Sequence, residues 1–244
     1  MSAPHARLVS VVLACYNEEQ ILRDSFAEIR ETLEELGRPF EILLVDDMSR
    51  DRTREMLREI VEANRDLDIR VILHETNRGR GATVTDGFRA ARGEIAGYLD
   101  VDLEVHSRYI PTLVKAIERG ADVATVRRIY AFQIRHLDRY FMSRGYSWLV
   151  KRLLGIRLHD TETGYKFFRR EALLPVLDAC RDPGWFWDTE FMALAARRGL
   201  HIEEIPGAYV RRADKRSTVS GVRDSLLYFR RLLAFRRRLA AEGL

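Results

Sequence analysis

Three carboxylates at alternate positions, Asp100, Asp102 and Glu104, follow the apolar run IAGYL. Residues i, i+2 and i+4 of an extended chain face one side. The three could therefore offer oxygen ligands to one hard cation, magnesium or manganese, with positions left open for phosphate oxygens. A strand end with solvated acids would give the same string. Asp46 and Asp47 end a second apolar run, EILLV, ahead of Met48-Ser49-Arg50-Asp51-Arg52-Thr53. A carboxylate there can accept from a base imide or a ribose hydroxyl, and Ser49 or Asp51 can cap the helix that follows. Tyr16-Asn17-Glu18 come just after a third run, LVSVVLA. Asn77-Arg78-Gly79-Arg80-Gly81-Ala82 enters a helix; its glycines admit a close ligand and the helix N-terminus favours anions, although such entries are also common punctuation.

The elements that must carry these residues read as repeated β–α–β units. Leu8 to Ala14, Glu41 to Val45, Arg70 to His74 and Glu94 to Leu99 are short apolar runs of strand type. Ile21, Leu22, Phe26, Ile29, Leu33 and Leu36 recur at helical spacing until Gly37 and Pro39 end that helix. Segments 53–63 and 82–91 supply two more helices, the last closed by Gly93. The pattern predicts an α/β fold with a mostly parallel, Rossmann-like central sheet and helices on both faces. Ligands bind such sheets beyond the carboxyl ends of the strands, where all three acidic motifs fall. The second half reads as helical and basic from Arg127 to Arg152, then loop-rich.

The 244 residues suffice for one large domain, placed at 1–217, with a helical segment over 218–244. At 46% hydrophobic and 32% charged, the chain is globular rather than disordered. A net charge of +4 admits an anionic partner without naming it. Cys15 reads as a small packed residue, and neither it nor Cys180 has a close partner for a zinc site or disulfide framework. There is no signal-peptide pattern and no run of about 18 apolar residues, so the expected compartment is the cytoplasm, with a peripheral place on the inner face of the membrane open to it.

Later motifs leave alternatives open. In Asp160-Thr161-Glu162-Thr163-Gly164-Tyr165-Lys166, Lys166 or Arg169 could hold phosphate, or Thr161 and Thr163 could cap a helix start before FFRREALLPVL. Gly184 to Glu190 (GWFWDTE) sets Trp185 and Trp187 beside Asp188 and Glu190. The aromatics suit a sugar face or the core, and Glu190 suits the start of a helix. From Val222 to Ala240, a helical projection gathers Val222, Leu226, Phe229, Leu232, Phe235 and Leu239 on one arc and Arg223, Arg230, Arg231, Arg237 and Arg238 on another; Arg236 intrudes on the apolar arc. This basic amphipathic helix either lies in an anionic membrane interface or docks on the core.

Taken in order, VSVVLACYNEE, EILLVDDMSRDRT, NRGRGA, GYLDVDLE, DTETGYKFF and IEEIPGAYVRR resemble the family 2 glycosyltransferases of the GT-A fold, most closely the dolichyl- or polyprenyl-phosphate mannosyltransferase branch. The likeness runs from Val9 to Ser217. It implies that Tyr16, Glu18 and Asp47 contact the nucleotide, with Asp47 meeting the base. It also implies that Asp100, Asp102 and Glu104 hold metal and diphosphate, that Arg212 lies near the donor diphosphate, and that Arg128, Arg139 and Ser143 cradle an acceptor phosphate. The chain departs from the family at Ala14 (usually proline), Arg80 (usually lysine), Glu104 (often glutamine) and Val105-His106 (a proline pair). Thr218 stands where lysine is common, with Lys215 and Arg216 close by.

The expected activity is metal-dependent, inverting transfer of a sugar from GDP-mannose or a UDP-sugar to a polyprenyl-phosphate-type lipid, with Mg2+ or Mn2+ as cofactor. Metal and nearby cations stabilise the leaving diphosphate. A phosphate acceptor is already anionic and needs placement more than deprotonation. Asp100, Asp102, Arg128 and Arg139 would carry that chemistry. A soluble or protein-bound hydroxyl acceptor would instead need a base, for which Asp188 and Glu190 are the candidates. A non-catalytic module for anionic membranes or nucleic acid is the reading from another class. The chain has no nucleic-acid motif, and its acidic cluster would repel phosphates without a metal, so no nucleic-acid partner is expected.

Overall fold

The computed structural model describes residues 8–130, 137–210 and 221–242. Its strands are β1 (Val9–Cys15), β2 (Phe40–Asp46), β3 (Ile69–Leu73), β4 (Ile95–Leu99), β5 (Val123–Tyr130), β6 (Tyr165–Arg169) and β7 (Ile202–Tyr209). They form one sheet in the order β3-β2-β1-β4-β6-β5-β7. Neighbours among β1 to β4 pair in parallel, as the β–α–β reading predicts. β6 is antiparallel to both its neighbours, β4 and β5, while β7 runs parallel to β5. The helices are α1 (Leu22–Glu35), α2 (Thr53–Ala63), α3 (Arg80–Ala90), α4 (Ile110–Glu118), α5 (Leu137–Leu154), α6 (Arg170–Ala179), α7 (Trp187–Arg197) and α8 (Gly221–Glu242).

Alternation along the strands feeds two cores. Val9, Val11 and Leu13 of β1 and Ile42 and Leu44 of β2 face α1, α2 and α4, whereas Val12, Leu43 and Val45 face α3 and the helices from α5 onward. Strands buried on both faces read as unbroken apolar runs, which is why the sequence reveals them. The same property misleads at β6, where Tyr165, Lys166, Phe167 and Phe168 are all buried. The expectation of loops after Arg152 is therefore corrected: β6, α6, α7 and β7 follow, and FF belongs to a strand, with α6 starting only at Arg170.

From β1 the chain steps outward through β2 to β3 and then returns to place β4 on the other side of β1. The crevice beyond the carboxyl ends of β1 and β4 is the topological switch point at which open α/β sheets bind ligands.

One buried charge in this frame has a pH signature. Glu41 of β2 is fully buried and accepts from Ser10 Oγ at 2.6 Å, from the Arg92 backbone N–H at 2.7 Å and from the Arg70 guanidinium at 2.7 Å. Burial alone would raise its pKa. The Ser10, Arg92 and Arg70 bonds outweigh that and hold it at about 2. A depressed carboxylate contributes stability above its unfolded pKa and loses it as pH falls through the folded value. Glu41→Gln should therefore cost about 3 kcal/mol at pH 7, and the gap from wild type should close between about pH 4.5 and 2. Urea midpoints across that window check it.

α8 docks on the core: Leu232, Phe235 and Leu239 are buried, Arg238 pairs with Glu190 at 2.7 Å, and Arg231 pairs with Asp182. Leu227 and Phe229 stay exposed, and the side chains of Val222, Arg223 and Leu226 lie outside those described. No helix among the described residues is long and apolar enough to cross a membrane.

Candidate active site

Among the described residues, three that are not glycine have positive φ, and each follows the carboxyl end of a strand facing the crevice: Asn17 (56°) after β1, Met48 (62°) after β2 and Leu103 (50°) after β4. Such backbone costs on the order of 1 kcal/mol each and persists only where its surroundings over-determine it. Here the turns are laced together. Asn17 N–H donates to Ser49 Oγ at 2.9 Å, Asn17 Oδ1 accepts from Arg50 N–H at 2.8 Å, and Glu18 N–H donates to Thr53 Oγ1 at 2.8 Å. The Glu18 carbonyl receives the N–H groups of Ile21 and Leu22, starting α1, while Tyr16 stays exposed. Asp51, not Ser49, takes up the first-turn N–H of α2, that of Thr53, at 3.0 Å.

Asp47 is buried and already engaged. Its carboxylate accepts from the backbone of Arg78 (2.7 Å) and Gly79 (2.8 Å) and lies 2.9 Å from His74 Nδ1. It thus fixes the entry to α3. The glycines of that entry make room for protein rather than for a ligand: Gly79, at φ 91°, lies against the Pro183 carbonyl, which accepts from Ala82 N–H at 3.0 Å, and a side chain at Gly81 would strike Trp187.

Arg80, the first residue of α3, sits at the centre of the site. Its guanidinium donates to Asp100 Oδ1 through Nε (3.1 Å) and Nη2 (2.6 Å) and to Asp188 through Nη1. It lies between the rings of Tyr98 and Trp185, at 5.4 and 5.1 Å from their centroids. Asp188 is buried and also accepts from Tyr98 Oη and from Lys166 Nζ, the latter at 2.6 Å. Lys166 is 0% exposed and donates in addition to the Thr163 carbonyl. Burial draws its pKa below the usual lysine range, with Asp188 pulling the other way. Two expectations are corrected here. Lys166 is a buried counter-ion rather than a phosphate holder, and Asp188, bonded to two cations and a phenol, is not placed as a free base. Glu190 is likewise committed: it accepts from the backbone of Arg181 (3.0 Å) and Asp182 (2.7 Å) and pairs with Arg238. Trp187 belongs to the core, while Trp185 is 47% exposed over Arg80. Arg169 pairs with Asp122 and Glu171.

The three carboxylates after β4 do not face one side together, because β4 ends at Leu99 and the chain turns through Leu103 instead of staying extended. Glu104 receives the Tyr209 hydroxyl, and its carbonyl accepts from Val210 N–H at 2.8 Å, tying it to β7. No group of three His, Cys, Asp or Glu side chains among the described residues could hold a metal, so the three-carboxylate set is corrected. Asp100 and Asp102 remain. Asp100 is 41% exposed in its side chain, Arg80 engages only its Oδ1, and its Oδ2 lies so close over Gly164 that any Cβ there would overlap it. Two carboxylates form an oxygen-only donor set, which suits a hard cation that shares its remaining positions with phosphate.

On β5, Arg128 is clamped by Asp160, with Nε at 2.7 Å and Nη2 at 3.0 Å, and lies between Tyr130 and Tyr209. Its guanidinium is thus held in a fixed orientation. Beside it, 3.7 Å from Nη2, stands the carboxylate of Glu162, 27% exposed. Burial pushes its pKa up to about 7, with Arg128 opposing and Asp160 adding to the rise. Glu162 is not among the residues expected from the sequence; the signal for it is a second acid two residues after Asp160. Arg139 and Ser143 fall on α5, with side chains outside those described; Arg212, Lys215, Arg216 and Thr218 lie outside the described residues.

Comparison with known proteins places this arrangement. Residues 10–176 match the model of glycosyl transferase family 2. The glycosyltransferase AglD of Haloferax volcanii is 34% identical over 223 residues, covering 89% of this chain and 35% of that protein. The undecaprenyl-phosphate 4-deoxy-4-formamido-L-arabinose transferase of Pseudomonas aeruginosa is 36% identical over 222 residues, covering 91% of this chain and 63% of that protein. The chain thus spans less than two thirds of the length of either relative. Among solved structures, the glucosyl-3-phosphoglycerate synthase of Mycobacterium tuberculosis, in complex with Mn2+, UDP and glucosyl-3-phosphoglycerate, superposes with a TM-score of 0.67 at 21% identity, covering 98% of this chain and 81% of that one. That likeness establishes a shared GT-A fold.

Proposed function

The chain belongs to glycosyl transferase family 2, and on that premise we propose that it moves a sugar from a nucleotide-diphosphate donor, GDP-mannose or a UDP-sugar, to a polyprenyl-phosphate-type lipid. The observation that supports this reading is the Arg80–Asp100 pair just beyond β4, beside β1 at the switch point of the sheet, with Asp102 two residues further along the chain. The relative that acts on undecaprenyl phosphate supports the acceptor class. Asp100 and Asp102 would hold Mg2+ or Mn2+, which neutralises charge on a leaving diphosphate.

The chain's own groups do the rest. Arg80, held in place by Asp100 and Asp188, sets a fixed positive charge beside the donor, where a preorganised cation lowers the barrier without reorganising. Tyr16 and Glu18 line the nucleotide end, Asp47 holds the loop that closes it, and Arg212 adds charge at the diphosphate. Arg128, Arg139 and Ser143 orient the acceptor phosphate, whose oxygen attacks the anomeric carbon in line and inverts it. Residues 1–217 carry this chemistry, with 218–244 as a helical support. The lipid acceptor would hold the chain at the inner face of a membrane.

Glu162 favours a second reading. A carboxylate with a pKa near neutrality beside the acceptor side suits a general base, as a hydroxyl acceptor would require. Transfer from GDP-mannose and UDP-glucose to a short polyprenyl phosphate and to the matching alcohol separates the two. Transfer to the phosphate, surviving Glu162→Gln, is the expected result. Transfer to the alcohol alone, abolished by Glu162→Gln, would replace the phosphate reading with the hydroxyl one.

A further inference from the structure

Among the described side chains, Arg231 and Arg238 of α8 differ from Arg236 in how their charge is met. Arg238 pairs with Glu190 and Arg231 with Asp182, and nearby Arg181 pairs with Glu242 at 2.7 Å. Each guanidinium bordering the cavity of about 230 Å3 there has its own carboxylate. A second cavity, of about 340 Å3, is lined by Arg152 at the end of α5, Arg197 at the end of α7 and Arg236 of α8, with Leu154, Gly155 and Leu239. Its lining contains no acid. Among the described residues, none of these three guanidiniums has a carboxylate within ion-pair distance or a carbonyl within hydrogen-bond distance.

A purely structural explanation covers part of this. Cations in the last turn of a helix offset its dipole, and Arg152 and Arg197 occupy such positions. It does not cover Arg236, an exposed mid-helix position at the edge of the buried Leu232, Phe235 and Leu239, far from either end of α8. A guanidinium serving a helix end would also be expected to bond its carbonyls, as Arg238 does with Ala179 at 3.4 Å. Three arginines from three helices around one unneutralised groove suit an anion with several oxygen acceptors, because the guanidinium fork matches phosphate geometry.

We propose that this groove binds a phosphate-bearing anion, either a phospholipid headgroup or a free phosphate compound, at a site that shares no residue with the transfer site. The test uses the full chain, the triple variant Arg152→Gln, Arg197→Gln, Arg236→Gln, and a control of equal charge loss, Arg58→Gln, Arg65→Gln, Arg108→Gln. All three controls are exposed surface positions, and circular dichroism melts confirm that each protein is folded. Binding is read by co-sedimentation with phosphatidylcholine vesicles with and without phosphatidylglycerol, and by calorimetric titration with inorganic phosphate without metal. The groove variant should lose about 100-fold in affinity, at roughly fivefold per charge, while the control keeps most of it. Loss confined to the phosphatidylglycerol vesicles identifies a headgroup site; loss confined to inorganic phosphate identifies a free-anion site. Wild type binding neither probe, groove variant matching wild type, or control losing as much as the groove variant would each overturn the proposal.

Discussion

Asp188→Ala should destabilise the protein by about 4 kcal/mol, the cost of stranding buried cations. Asp188 is the shared acceptor of Lys166, Arg80 and Tyr98. Removing it leaves the Lys166 ammonium in a fully buried position with only a carbonyl and a phenol for partners. Adding Lys166→Met should recover a large part of the loss, because replacing both members of a buried pair is far cheaper than breaking it. Urea unfolding of the single and double variants measures the coupling. A single variant within about 1 kcal/mol of wild type, the range of exposed pairs, would show that Asp188 is not the anchor described. The result also bears on mechanism, since a residue whose loss unfolds the site cannot be scored as a base from activity alone.

Asp102→Asn should leave stability nearly unchanged and lower transfer by about 100- to 1000-fold, the range for removing one group that stabilises transition-state charge. Asp102 is partly exposed beyond β4, and its Oδ1 accepts from Glu104 N–H at 3.3 Å, so the amide can keep the local geometry. Asp100→Asn should lower transfer comparably for a second reason: it weakens the bidentate hold on Arg80, which Asp188 alone would then keep. The contrast with Glu104→Gln, expected to lose much less because Glu104 is tied to Tyr209, distinguishes a two-carboxylate site from a three-carboxylate one. Initial rates at saturating donor, with melting curves on the same samples, provide the comparison.

The difference between what could and could not be read in advance follows from distance along the chain. β1, β2 and β4 are legible because strands covered on both faces are mostly apolar and give way to polar residues at Tyr16-Asn17-Glu18, Asp46-Asp47 and Asp100. The site edge follows from those stops. The roles of Lys166, Asp188 and Glu190 were not legible, because their partners are remote: Arg80 is 108 residues from Asp188, and Arg238 reaches Glu190 from α8. Glu104 was misplaced for a local reason. An alternating pattern faces one side only while the backbone stays extended, and Leu103 at φ 50° ends that. The amphipathic arc of α8 was legible, but periodicity does not distinguish a core from a lipid surface as its cover. The burial of Leu232, Phe235 and Leu239 does.

Calorimetric titration of GDP-mannose and UDP-glucose into the wild-type chain and into Asp102→Asn, with Mn2+ and again after chelation, bears most directly on a cation joining β4 to a donor. Wild type should bind one of the two donors with Mn2+ present and lose that binding on chelation, and Asp102→Asn should bind at least about tenfold more weakly. Equal binding in the two proteins, or binding indifferent to chelation, would contradict a donor site built on Asp100 and Asp102.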